Sequence, residues 1–276
     1  MSVNSKGLTR RQVFEQKLKR RSIFLAAIST SAVFLALVAL IPMAPGWEKV
    51  KQSFFNWDVM VKTFPKLLSA FLMDVAIFAW SVPLIAALGL AIALARDVRN
   101  PALYPLRMFG ALYTDIFRGV PVVLVVYLVG FGIPGLGLQR PFNSPYLWGT
   151  VALVVTYAAY VAEIFRAGIE SIHQSQRNAA LSLGLSPSDS MRFVVLPQAI
   201  RRVIPAQMNI LIALQKDVAL LSFIGPVEIF RQAGVFKSLL ANFTPYVVAA
   251  VIFLIVTIPA TRLADHLISK QNRARS

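Results

Sequence analysis

Cysteine is absent from this 276-residue chain. A disulfide framework, an iron–sulfur cluster and a thiol nucleophile are thereby excluded. Histidine is scarce: His173 and His266 are the only two, and they lie far apart in sequence. No metal site is expected, because structural and catalytic sites for zinc draw on several imidazole or thiolate ligands. Charge is scarce as well. Charged residues make up 14% of the chain, against about 25% in an average soluble domain. What fills their place is apolar: 57% of the residues are hydrophobic, arranged in long uncharged runs. That combination points to an integral membrane protein.

Acidic residues are the scarcer sign. Twelve Asp and Glu stand against 28 Lys and Arg, a net charge of +16. Such a balance first suggests nucleic acid, but its placement argues against that. Lys6, Arg10, Arg11, Lys17, Lys19, Arg20 and Arg21 crowd the N-terminus directly before an apolar run. Arg262, Lys270, Arg273 and Arg275 crowd the C-terminus directly after another. Basic residues flanking spans serve cytoplasmic retention and anionic lipid headgroups, so membrane lipids and not nucleic acid are the expected partner of this charge. The stretch "RRQVFEQKLKRR", residues 10–21, suits a short basic helix lying on the inner leaflet.

Residues 23–41 are uncharged and long enough to cross a bilayer, which takes about 20 apolar residues. The run exceeds the ~7–15-residue core of a signal peptide and no small-residue cleavage site follows, so a retained helix is expected. Residues 47–66 mix Trp47, Phe54, Phe55 and Trp57 with charges, as an interfacial segment does. Further spans are expected at about 67–95 (interrupted by Pro83 and Gly89), 109–133, 146–165, 204–229 and 238–263. Arg96, Arg99 and Arg107 follow the second span, and Arg166, Arg177, Arg192, Arg201 and Arg202 follow the fourth. Positive-inside reasoning then gives an all-α protein of six transmembrane helices with both termini cytoplasmic. Lys49, Lys51, Lys62 and Lys66 fall outside as an exception, partly offset by Glu48 and Asp58. The expected division is a basic cytoplasmic segment 1–22, a first helix and external segment 23–66, a membrane core 67–266 containing a loop at 171–202, and a basic tail 267–276.

That loop carries the densest local signals. "NAALSLGLSPSDSMRFVVLPQAIRR", residues 178–202, is polar, yet it has its own stop and restart. From Ser175 the spacing predicts a short helix with Ala179, Ala180 and Leu183 on one small apolar face. Gly184 stands where a left-handed C-terminal cap is needed. Ser186 is a good N-cap, Pro187 fits the first helical position, and Asp189 is placed to reach back to the cap. The next helix has Met191, Val194 and Val195 on one face. Pro197 is expected to end or kink it, and Pro205 to break the chain again. A rigid helix–Gly turn–helix is a shape for docking, although an ordinary cytoplasmic hairpin could be built the same way.

At this point the chain resembles the permease subunits of type I ABC importers, in their polar-amino-acid branch. The loop is similar to that family's EAA loop, with Ala179, Ala180, Gly184, Leu196 and Pro197 matching and Asn178 standing where the family usually has Glu. "TDIFRGVPVVLVVYLVGFGIP", "AYVAEIFRAGIESI" and "LPQAIRRVIPAQMNILIALQKDVALLSFIG" resemble three further segments of that branch, in the right order. The resemblance implies a type I importer permease fold in a bacterial inner membrane. It also implies a second permease subunit, two ATPase subunits docked on the loop as a coupling helix, an extracytoplasmic solute-binding protein, and a polar amino acid or close analogue as substrate. ATP and Mg²⁺ would sit on the partner ATPases, and this chain would bind no cofactor. In agreement, it has no G-x-x-x-x-G-K-[ST] phosphate loop.

Ionisable residues at membrane depth are costly and mark candidate functional positions. Asp74 reads either as an interfacial carboxylate at the outer end of its span or as a polar group near a substrate entrance. Asp115 and Arg118 lie three apart, which permits a same-face ion pair. Glu163 and Arg166 share that spacing, as a structural clamp on the loop. Lys216 and Asp217 are adjacent, so on a helix they diverge by about 100°; they suit a substrate path or gate. None of these forms a base–nucleophile–oxyanion constellation, so no catalytic residue is expected and the chain is not expected to be an enzyme. The rival reading is a stand-alone secondary transporter or channel with Lys216 and Asp217 as an ion or proton relay. The sequence leaves the particular amino acid open, and whether the second permease is identical.

Overall fold

The computed structural model describes residues 10–98 and 100–273, and the chain divides after Asn56 into two compact units. In the first unit, α1 (Arg10–Leu40) is one unbroken helix of 31 residues. No Gly or Pro lies between its ends, so nothing separates the basic stretch from the apolar one. The separate surface helix expected at 10–21 is therefore not seen. Pro42 closes α1 through a 3₁₀ turn at Ile41–Met43, and a short amphipathic helix, α2 (Trp47–Phe54), follows.

The second unit begins with α3 (Trp57–Asp97), a 41-residue helix that carries Pro65 and Pro83 without ending. Next come α4 (Tyr104–Gly119) and α5 (Val122–Gly132). The single span expected at 109–133 is instead a pair of helices bent by 106°. Pro121 is the cause: it has no N–H to continue the ladder, and it holds the preceding Val120 extended (φ −97°, ψ 131°). Among the described residues, five helices are long and apolar enough to cross a membrane, or six if this bent pair is one span.

The core is built around α6 (Pro145–Glu170), whose Ala152, Leu153, Ala158, Ala159 and Ala162 are fully buried. Small residues let helices approach closely where apolar burial alone gives no driving force against lipid. Gly89 of α3 is one such contact, since a Cβ there would lie 2.5 Å from Val161 Cγ1. The main apolar cluster joins α3, α5, α6, α9 (Leu196–Asp217) and a 3₁₀ segment at Val218–Ile224 through Ile85, Val126, Leu153, Leu214 and Leu221. A second cluster packs Leu67 and Phe71 of α3 against α10 (Ile229–Leu240) and α11 (Thr244–Arg273). A third, Ile169, Ile172, Val195 and Ala199, seats the polar loop on the end of α6.

The loop contains α7 (Gln174–Ser182) and a single turn, α8 (Pro187–Asp189). The chain then stays helical through a π turn at Ser190–Val195 into α9. Of the two outcomes expected at Pro197, an end or a kink, the helix does not end there. The π turn widens the helix just before it, and the proline is taken into the first turn of α9. Pro205 lies inside α9 and does not break it either.

Candidate functional site

The loop is held in shape by its own backbone. Leu185 N–H donates to Ala180 C=O at 3.2 Å and Gly184 N–H donates to Leu181 C=O at 3.0 Å. These two bonds define a Schellman cap, which requires a left-handed residue between them; Gly184 supplies it with φ +83°. Ser186 then caps the next turn, accepting from Asp189 N–H at 3.1 Å and donating its hydroxyl to Asp189 Oδ2 at 2.6 Å. His173 caps α7 by accepting from Ser175 N–H. Asn178 is exposed and accepts from Gln174 Nε2 at 3.1 Å.

The small-residue face is divided by burial. Ala180 is 4% exposed and packs inside its own chain. Ala179 is exposed, and Leu183 stands out from the turn at 84% exposure. Leu196 is half-buried and Pro197 exposed. Of the residues that match the family's loop, Asn178, Ala179, Gly184 and Pro197 are exposed, with Leu183 beside them.

Two tethers bind this loop to the membrane helices. Arg177 of α7 pairs with Asp97 at the end of α3, 3.3 Å apart. Arg202 Nη1 donates to Ser171 C=O at 2.5 Å, joining α9 to the end of α6. Local spacing does not mark either contact, because the partners lie far apart in sequence; Arg177 and Arg202 stand in the sequence only as topology markers.

Glu163 collects three guanidinium groups. It pairs with Arg166 one turn on, with Arg96 of α3 at 2.8 Å, and with Arg118 of α4 at 3.5 Å. Arg166 also reaches Glu170 at 2.5 Å, and Arg96 donates to the buried Thr114 Oγ1 at 2.8 Å. The network therefore ties α3, α4 and α6 together, while the loop itself is held by Asp97 and Ser171. The ion pair allowed by the Asp115–Arg118 spacing does not form: Asp115 is exposed, and Arg118 turns to Glu163.

Lys216 and Asp217 stand in the last turn of α9, where the α-helix gives way to 3₁₀ geometry. They diverge as adjacent helical residues must. Lys216 is exposed, and Asp217 accepts from the buried Tyr157 hydroxyl at 2.8 Å. Asp74 is not interfacial in the sense expected of a solvated carboxylate, being 2% exposed. It lies near Glu228, which is fully buried and caps α10 by accepting from Phe230 and Arg231 N–H at 2.8 and 2.6 Å. Glu228 carries no signal in the sequence, since Glu is not among the residues that usually cap a helix. Tyr157 is missed for a similar reason, as one more aromatic in an apolar span.

Comparison with known proteins places this geometry. The family model described as "Binding-protein-dependent transport system inner membrane component" matches residues 104–273. The chain is 33% identical over 213 residues to "Probable amino-acid permease protein YxeN" of Bacillus subtilis (strain 168), covering 76% of this chain and 93% of that one. It is 35% identical over 181 residues to "Probable glutamine ABC transporter permease protein GlnM" of the same organism, covering 65% and 81%. A solved structure, "Crystal structure of an amino acid ABC transporter with histidines", superposes with a TM-score of 0.70 at 31% identity, covering 78% of this chain and 98% of that one. A methionine ABC transporter, MetNI, shares the fold with a TM-score of 0.59 at 19% identity, covering 74% and 95%. These likenesses favour an importer permease over a stand-alone carrier, and α1 and α3 precede the matched region.

Proposed function

The chain belongs to the family of binding-protein-dependent transport system inner membrane components, and from that premise we propose that it moves a polar amino acid or close analogue into the cell. It is a multi-pass membrane transport subunit with the type I importer fold. In our reading it pairs with a second permease subunit, identical or paralogous, and receives substrate from an extracytoplasmic binding protein. Two ATPase subunits, which hold ATP and Mg²⁺, dock on the loop between α6 and α9. Both termini and that loop face the cytoplasm.

The observation that carries the coupling role is the capped turn at Gly184, which presents Asn178, Ala179 and Leu183 outward on a loop fixed by two tethers. A mobile hairpin would transmit little; a rigid one lets ATP-driven closure of the ATPases bias the permease between two states. Lys216 and Asp217 are assigned to the path or its gate, because an exposed ammonium in an apolar span calls for a water-filled cavity or a partner. Glu163, Arg96 and Arg118 hold α3, α4 and α6 as one body during that motion.

The test is reconstitution in proteoliposomes with importer-type ATPase subunits and a solute-binding protein from the same genome. Uptake of a labelled amino acid should require all three components and internal ATP. Uptake by this chain alone, driven by an ion gradient, would sink the proposal.

A further inference from the structure

The short helix α2 (Trp47–Phe54) lies before the part of the chain that the family model matches, and it takes no part in the loop or in the charge network. Its eight residues divide by character. At about 100° per residue, Trp47, Val50 and Phe54 share one arc of about 60°. Glu48, Lys49 and Gln52 point the other way, and Lys51 stands at the edge of the apolar arc. Val50 is 41% exposed, and both lysines are exposed. A helix of two turns is marginal in water by itself, so its apolar side needs a surface. The place of the helix supplies one. The apolar stretch of α1 that is long enough to cross a membrane runs Leu18–Met43, and α2 begins just beyond it. The link is short and internally bonded: Ala44 N–H donates to Ile41 C=O at 3.2 Å, and Trp47 N–H donates to Ala44 C=O at 2.9 Å. Ala44 itself is extended (φ −66°, ψ 134°), which separates α2 from the helical run before it. The apolar arc is therefore held where α1 leaves the hydrocarbon. The nearest apolar phase there is the acyl region of that leaflet, and the nearest anions are lipid phosphates.

We propose that α2 is a lipid-binding surface helix: it lies flat in the headgroup region, with Trp47, Val50 and Phe54 on the acyl chains and Lys49 and Lys51 on phospholipid phosphates. The leaflet is the one opposite the basic start of α1. An indole is at home at this depth, with its ring in apolar surroundings and its N–H near water. Lysine stems are long enough to lie along apolar surface while the ammonium reaches a phosphate. Glu48 offsets one of the two positive charges, so the helix keeps a net charge of one toward an anionic surface. At ~12 Å the helix is too short to cross the bilayer. A soluble partner would need the apolar arc turned away from the membrane, and the short link to α1 opposes that. The helix thereby fixes the far end of α1 at one depth. This role is independent of what the chain transports.

The chain has no cysteine, so a nitroxide can be attached at one position at a time. The full chain carrying Val50→Cys, Phe54→Cys or Gln52→Cys is spin-labelled and placed in nanodiscs of phosphatidylcholine and phosphatidylglycerol. Collisions with oxygen, which enters lipid, and with a water-soluble nickel chelate then give the depth of each label. Labels at positions 50 and 54 should lie ~5–10 Å below the phosphates, open to oxygen and closed to nickel. The label at position 52 should show the reverse. Equal nickel access at positions 50 and 52 overturns the proposal, because the helix then stands in water. Labels at positions 50 and 54 that are closed to both reagents also overturn it, because a protein surface then covers the arc. Positions 50 and 54 report on the same arc, so the test survives the failure of either variant. Lys49→Glu with Lys51→Glu should move the label at position 50 toward water; an unchanged depth overturns the phosphate contacts.

Discussion

Arg177 in the loop between α6 and α9 forms an ion pair with Asp97 at the end of α3, at 3.3 Å, with both side chains mostly withdrawn from water. The pair spans 80 positions of sequence and fastens α7 to the longest helix of the membrane core. A push on α7 therefore reaches α3 through a charge-assisted bond instead of through a slack connection. Asp97→Asn or Arg177→Gln should loosen this joint by about 1–2 kcal/mol, a factor of roughly 5–30 in the balance between docked and undocked loop. ATP-driven uptake should fall while ATP hydrolysis persists. The exchange variant, Asp97→Arg with Arg177→Asp, should recover part of the uptake; no recovery would place the effect elsewhere.

Gly184 sits at φ +83° with open space where a Cβ would point. Its substitution is thus limited by backbone conformation and not by crowding. Gly184→Val should cost at least ~1 kcal/mol and misdirect the turn, so uptake should fail with the protein still inserted. Gly184→Asn, which tolerates the left-handed region better, should keep most of the activity. Measured uptake of the two variants side by side checks this, and equal loss in both would contradict it.

Glu163 is the common acceptor of Arg96, Arg118 and Arg166. Glu163→Gln leaves Arg96 and Arg118 without a carboxylate at a partly buried junction, while Arg166 keeps Glu170. A loss of about 1–3 kcal/mol is expected from the cations left without their carboxylate, seen as a lower thermal midpoint in detergent. Asp115→Asn, by contrast, removes an exposed charge that has no pairing with Arg118 and should leave the midpoint unchanged within error.

Asp217 accepts from Tyr157, while Lys216 beside it is exposed. Lys216→Met and Asp217→Asn should leave the complex assembled and uncouple hydrolysis from uptake. Tyr157→Phe should have a milder effect in the same direction, because it removes the hydroxyl and keeps the ring in the core. Wild-type transport in all three would reduce these residues to packing.

The chain lacks cysteine, so single cysteines report cleanly on sidedness. Ser188→Cys in the exposed loop should be shielded from an impermeant thiol reagent added to intact cells. Gln139→Cys, exposed in the turn after α5, should be labelled. The opposite pattern would reverse the proposed orientation.

The local devices of the loop between α6 and α9 are legible in the sequence. A helix stop at Gly184 and a restart at Ser186 follow from which residues tolerate a left-handed backbone or can cap a free N–H, and both are observed. The membrane class followed as directly, since long uncharged runs leave no other way to hide so much apolar surface. These are properties of short stretches, and a short stretch contains all the information they need.

Tertiary structure decided the rest. Ala180 and Ala179 are neighbours in sequence, yet the packing of α7 on the membrane end turned the first inward and left the second outside. Arg118 meets Glu163 and not Asp115, and Asp74 is buried inside the helical bundle. Pro121 broke a span while Pro65, Pro83, Pro197 and Pro205 did not, because a proline's cost depends on what can satisfy the carbonyl it leaves free. In helices that are apolar on every side, hydrophobic periodicity does not specify which face turns toward which neighbour. Rotation and crossing are settled by packing between helices, and it is this packing that brings distant charges together.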